Sequence, residues 1–181
     1  MMQSMKAALT IAGIAAATAA IAQTSAPPSL KSDIVQAGGA KIGEVTLTNG
    51  RTGVLLRLTA SGLTPGWHAM HFHATGDCSD EGFQKSGAHI NHEGHKMPHG
   101  LLNPEGPDFG ELPNIYVGAD GAANAEAFSA LVSLGAGSDR PNLLDADGSA
   151  LVIHASPDDH ITQPIGGAGA RVGCAVIRPA S

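Results

Sequence analysis

The sequence predicts an all-β fold, an antiparallel barrel or sandwich. Three observations carry that prediction. Short segments rich in β-formers recur along the chain. Turn residues separate them, with 24 glycines and 11 prolines among 181 residues. No segment has a strong helical pattern.

The elements follow in chain order. Residues 1–22 carry one charge, Lys6, then an Ala-rich apolar run ending Ala20-Ile21-Ala22. That pattern reads as a secretory signal peptide cut after Ala22. The run is short for a membrane span of ~20 residues. Residues 23–31 form a polar, Pro-containing lead-in, expected to be flexible. The rest, 32–181, suits one domain with one core. "KIGEVTLT" (41–48) is the first strand expected, and "NG" (49–50) is a hairpin signal. "GVLLRLTA" (53–60) alternates, with Val54, Leu56 and Leu58 on one face. "WHAMHFHA" (67–74) is the next strand. Further strands are expected in 112–118, 149–155 and 170–178, and in 125–134, which alone is also compatible with a helix. Two long irregular segments, 75–111 and 155–169, hold five histidines. Long loops in a compact domain are usually functional or disordered.

Charge narrows the function. Without Lys6, nine Lys and Arg face 16 Asp and Glu. An acidic chain with no basic cluster is a poor nucleic-acid binder. Neither a Gly-rich phosphate loop nor a nucleophile elbow is present. Two cysteines, Cys78 and Cys174, in an exported chain most simply form one disulfide. No second long apolar stretch exists, so no membrane association is expected after signal cleavage.

The histidines carry the chemistry. In a strand, residues i and i+2 share a face, so His71 and His73 present two imidazoles about 7 Å apart. His68 falls on the other face and reads as a hydrogen-bonded structural histidine. The loop "GAHINHEGHKMPHG" (87–100) adds His89, His92, His95 and His99, and "ALVIHAS" adds His154. Several imidazoles without thiolate favour copper(II). The carboxylates Asp108 and Glu111 follow, and a mixed His and carboxylate set suits zinc.

Together these residues resemble the bacterial copper,zinc superoxide dismutase family. "GWHAMHFHATGDC" is similar to its Gly-x-His-x-x-His-x-His signature with Gly-Asp-Cys. "SGAHIN" resembles its bridging-histidine segment and "HGLLNPEGP" its zinc subloop. "DADGSALVIHASPDD" and "GARVGCAVI" resemble its last two strands. The resemblance implies an eight-stranded Greek-key β-barrel with two long functional loops. It implies one copper per chain, held by His71, His73, His89 and His154, with His89 bridging to a zinc as an imidazolate. It places His99 at a zinc-ligand position and Asp158 between a copper ligand and a zinc ligand. Arg171 takes the anion-guiding position, and Cys78 and Cys174 match the family disulfide. The implied reaction converts superoxide to dioxygen and hydrogen peroxide, with His89 and Arg171 as the catalytic residues. The implied compartment is the periplasm, and the family includes both monomers and homodimers.

The sequence departs from the family at the zinc site. Asp108 stands where a histidine is expected and Glu111 where an aspartate is expected. The segment from His89 to His99 is long, with His92 in place of a proline. Three arrangements are open: zinc on His89, His99, Asp108 and Glu111, which is favoured; His92 or His95 as a ligand; or a weak zinc site. His92, His95 and His160 otherwise read as solvated loop residues. Lys85 and Lys96 are candidates for a positive rim, or ordinary surface charges. A second functional class is an exported copper or zinc carrier on the same barrel. It has no use for Arg171.

Overall fold

A computed structural model describes residues 26–91, 94 and 96–179. The expected signal peptide, residues 23–25 of the lead-in, His92 and His95 lie outside the described residues. Among the described residues nine strands form: β1 (Ser29–Val35), β2 (Lys41–Asn49), β3 (Val54–Ala60), β4 (Gly66–His68), β5 (Met70–His73), β6 (Ile115–Val117), β7 (Ala123–Ser129), β8 (Ser149–His154) and β9 (Arg171–Ile177). Among the described residues no helix is long and apolar enough to cross a membrane.

A seven-stranded antiparallel sheet runs β5-β8-β9-β1-β2-β3-β7, and β4 pairs with β6. The stretch expected as one strand is split at Ala69. There the N–H turns to the Ser156 carbonyl and the carbonyl accepts the His154 N–H. Counting β4 and β5 as one strand restores the expected eight. A tight turn, with the Gly118 N–H donating to the Ala122 carbonyl, leads β6 into β7 and closes the ring.

Alternation fills the barrel. Val54, Leu56 and Leu58 point in from β3 as expected, joined by Val45 and Leu47, Met70 and Phe72, Leu151 and Ile153, and Ala175 and Ile177. Each fully buried large aliphatic or aromatic side chain contributes roughly 1.5–3 kcal/mol of transfer free energy. A small second cluster lies outside the barrel wall: Phe83, Ala150, Val152 and Cys174, with Cys78 and Val35 against it. The disulfide Cys78–Cys174, 96 residues apart, sits there and fastens the first long loop to β9.

Two expectations are corrected, and one ambiguity is resolved. Residues 29–31, assigned to the flexible lead-in, begin β1, which pairs with β2 and meets β9. The 125–134 segment, expected as a strand but also compatible with a helix, is strand over its first half, paired along all of β3. Asn-Gly does not make a two-residue turn. The Gly50 N–H donates to the Gly53 carbonyl across a wider connection, and the Asn49 side chain accepts from the Leu134 N–H instead.

Candidate metal centre

Met70 and Phe72 face the core, so His71 and His73 of β5 face outward, beneath the two long loops. His154, at the end of neighbouring β8, reaches the same face. His89 is brought in by backbone pairing. The Ile90 N–H donates to the Phe72 carbonyl and the Ala74 N–H to the Ala88 carbonyl, laying the loop along the free edge of β5. The Phe72 N–H donates to the Gly110 carbonyl, which anchors the Asp108–Glu111 turn beside it. Gly110 is required there, because a Cβ would lie 2.4 Å from the Phe72 carbonyl oxygen.

One ring nitrogen from each of His71, His73, His89 and His154 falls within 4.8 Å of the others. The remote nitrogens are all occupied. His71 Nε2 donates to Asp158 Oδ2 at 2.9 Å, His73 Nδ1 to the Gly87 carbonyl at 2.9 Å, and His154 Nδ1 to the Gly169 carbonyl at 3.2 Å. His89 Nδ1 meets Asp108 Oδ2 at 3.1 Å. The near nitrogens, His71 Nδ1 and Nε2 of His73, His89 and His154, are buried with no hydrogen-bond partner. Four such atoms converging on one point are costly unless a cation takes their lone pairs. The donor set fits copper, and the outer partners fix each ring as metal-bound histidines require.

A second set adjoins it. Donor atoms of His71, His89, His99 and Glu111 also lie within 4.8 Å of one another. His99 Nδ1 rests against Glu111 Oε1. Neither that nitrogen nor either Glu111 oxygen has a hydrogen-bond partner. Asp108 is not among these four convergent residues but touches the set at His89, with Oδ2 3.1 Å from Nδ1, so that His89, His99, Glu111 and Asp108 are neighbours. Two imidazoles and two carboxylates fit zinc. Asp158 spans the two sets, with Oδ2 on His71 and Oδ1 on His99 Nε2 at 3.0 Å. Gly166, at φ 56°, leaves room for it, since a Cβ there would lie 1.7 Å from Asp158 Oδ1.

Electrostatics divide the two sets. Burial, reinforced by the charges of His89 and Arg171, lowers His73 to about 2. Burial likewise lowers His154 to about 3 and lowers His71. These rings are neutral at pH 7 and offer lone pairs. For His99 burial opposes charge, but the hydrogen bond with Asp158 and the Glu111 carboxylate against Nδ1 outweigh it and raise the ring to about 10. His89 is raised too, its burial outweighed by Asp108 and Glu111. The same contacts overcome burial to lower Glu111 to about 2 and to hold Asp158 well below the usual carboxylate range. The carboxylate side thus attracts positive charge.

A cavity of about 460 Å³ reaches these sets from outside, lined by His73, His89, His154, Asp108, Lys96 and Arg171 among others. Arg171 donates to the carbonyls of Phe83 and Gly87 and to Ser86 Oγ. Its guanidinium is thereby fixed at the wall. Lys85 instead donates to Ser79 Oγ and does not line the cavity. A cavity of about 470 Å³ elsewhere, beside Ile90, Phe109 and Arg140, is lined by no histidine among the described residues.

His68 is structural as expected, bonded to the carbonyls of His154 and Thr64. His160 differs from expectation. Its ring is largely buried beside Asp158 rather than solvated, with Nδ1 at 3.4 Å from Oδ2. Two clamps were not foreseen. Asn114 bonds both the N–H and the carbonyl of Asp158, and Gln163 does the same for His99.

Comparison with known proteins agrees with this geometry. The family model described as copper/zinc superoxide dismutase matches residues 41–177. A Cu-Zn superoxide dismutase of Caulobacter vibrioides is 59% identical over 146 residues, covering 80% of this chain and 83% of that protein. One from Aquifex aeolicus is 37% identical over 171 residues, covering 93% and 98%. The crystal structure of a superoxide dismutase-like protein from Bacillus subtilis superposes with a TM-score of 0.76 at 34% identity, covering 81% and 97%. The Cu/Zn superoxide dismutase of Brucella abortus gives 0.64 at 25% identity, covering 83% and 99%. The family model spans β2 to β9 and both loops that supply the buried donor atoms, and the chain belongs to the copper/zinc superoxide dismutase family.

Proposed function

We propose that this chain is a superoxide dismutase, converting two superoxide anions and two protons into dioxygen and hydrogen peroxide. The observation that carries the reading is the convergence of four buried, unpartnered ring nitrogens beside a fixed arginine at a cavity wall. Copper supplies the one-electron redox cycle that dismutation needs, and zinc, with no accessible second redox state, supplies charge alone.

Copper is assigned to His71 Nδ1 and to Nε2 of His73, His89 and His154. Zinc is assigned to His89, His99, Asp108 and Glu111. Arg171 draws the anion into the cavity, which matters because the chain is acidic overall and attraction must be local. His89 Nε2 holds and hands over one of the two protons. Asp158 orients His71 and His99 together. A carrier needs the histidines but not the arginine, so Arg171 favours the enzyme.

We also assign residues 1–22 as a signal sequence and the periplasm as the destination. The disulfide supports an oxidising compartment, and N-terminal sequencing of the exported protein should begin at Gln23. The activity is tested by the dismutation rate of the copper-loaded protein with and without zinc. A second-order rate constant near ~10⁸–10⁹ M⁻¹s⁻¹ is expected. A negligible rate with copper bound overturns the enzyme in favour of the carrier.

A further inference from the structure

Asp108 stands where the family resemblance places a histidine, and its surroundings give the replacement a purpose. Every assigned copper ligand has an acceptor for its remote nitrogen. For His71, His73 and His154 that acceptor belongs to the protein: Asp158, the Gly87 carbonyl and the Gly169 carbonyl. For His89, whose Nδ1 is assigned to zinc, the acceptor within hydrogen-bond distance is Asp108 Oδ2 at 3.1 Å. Glu111 Oε1 lies at 3.7 Å and is engaged by His99. The Asp108 carboxylate is 4% exposed, and its other oxygen accepts the Gly110 N–H at 2.8 Å. Gly110 is itself pinned to β5. The acceptor is therefore fixed in place.

We infer that Asp108 is a positioning residue that makes the copper site independent of the second metal. By accepting the Nδ1–H of His89, it fixes the tautomer whose Nε2 lone pair faces His71, His73 and His154. A carboxylate accepts through either oxygen, whereas an imidazole accepts through one nitrogen in one tautomer. A histidine at this position leaves His89 to be oriented by zinc. The aspartate serves both states, facing His89 Nδ1 across a proton or across a metal ion. The inference rests on the copper-ligand assignment above.

The test is copper affinity, by competition with a chelator of known strength, together with the copper(II) EPR spectrum. Both are read on the full folded chain, zinc-free and zinc-loaded. In the unmutated protein zinc should change the copper Kd by less than about three-fold and leave the EPR signal in place. Asp108→Ala should weaken zinc-free copper binding by about 10–100-fold, as loss of an outer hydrogen-bond partner does. Asp108→Asn, whose amide oxygen still accepts, should restore most of it. Asp108→His should bind copper tightly only with zinc. The inference is overturned if zinc-free Asp108→Ala matches the unmutated protein, or if the unmutated protein needs zinc as much as Asp108→His. The second comparison decides the matter should the alanine variant fail to fold. His154→Ala separates the two levels. If it binds copper as tightly as the unmutated chain, the ligand assignment fails, whatever Asp108 does.

Discussion

Replacing Asp158 by alanine should loosen both metals at once. Its carboxylate accepts His71 Nε2–H at 2.9 Å and His99 Nε2–H at 3.0 Å, and also the His160 N–H. Loss of one outer partner costs about 10–100-fold in metal affinity. Asp158→Ala should therefore weaken copper through His71 and zinc through His99 by about that factor each. Two ring N–H groups left buried without acceptors cost about 1–3 kcal/mol apiece in stability. Asp158→Asn should behave asymmetrically. One amide oxygen remains, and it satisfies most donors where Oδ1 now sits, serving His99 and His160. The amide N–H₂ then faces His71, so copper should weaken while zinc is spared. The assay is competitive chelator titration of each metal with the other site saturated. If alanine weakens one metal only, or neither by more than about two-fold, Asp158 does not couple the sites.

Cys78→Ser with Cys174→Ser opens a loop closed over 96 residues. The chain-entropy relation assigns such a loop about 4.7 kcal/mol, a fall of about 10–20 °C in Tm at this chain length; an unchanged melting curve would count against it. Arg171→Ala should leave copper bound and cut the low-salt dismutation rate by about ten-fold or more while flattening its salt dependence; an unchanged low-salt rate removes the steering role. The raised value of His99, about 10, means that zinc displaces a proton at pH 7. Zinc affinity should therefore tighten from pH 6 to 9, and calorimetry in two buffers should detect the released proton. His73 and His154, lowered to about 2 and about 3, contribute stability that is fully present above the ordinary histidine value of ~6.5. It is lost as pH falls toward 3, because the unfolded chain takes up protons that the folded chain refuses. Melting between pH 7.5 and 4 checks this, and a flat Tm contradicts it.

How much was legible depended on where each instruction resides. β3 was readable because its alternation is local, and His71 and His73 because period two alone puts them on one face. β1 was not. "SLKSDIV" carries mostly polar residues, and its strand character comes from β2 and β9 on either side. The 125–134 ambiguity is resolved by pairing with β3, which no local propensity encodes. The assigned ligands were named from the order of motifs. Their partners were less visible. Gly87 and Gly169 contribute carbonyls, which every residue possesses, so nothing in the sequence marks them. Asn114 and Gln163 act on backbone 44 and 64 residues away, a relation that exists only after folding. His160 likewise gains its place from the loop that turns it back onto Asp158.

The split between strand and loop donors has an evolutionary reading. His71, His73 and His154 are set by hydrogen-bonded ladders with a hydrophobic core behind them, so their spacing tolerates almost no drift. His99, Asp108 and Glu111 hang on connections, where residues can be inserted or exchanged without disturbing the barrel. Substitution should therefore accumulate on the second-metal side of His89, where Asp108 and Glu111 stand apart from the family pattern that the sequence otherwise resembles. The redox half is conservative in geometry, and the neighbouring half is the place where a lineage can experiment with its metal requirement.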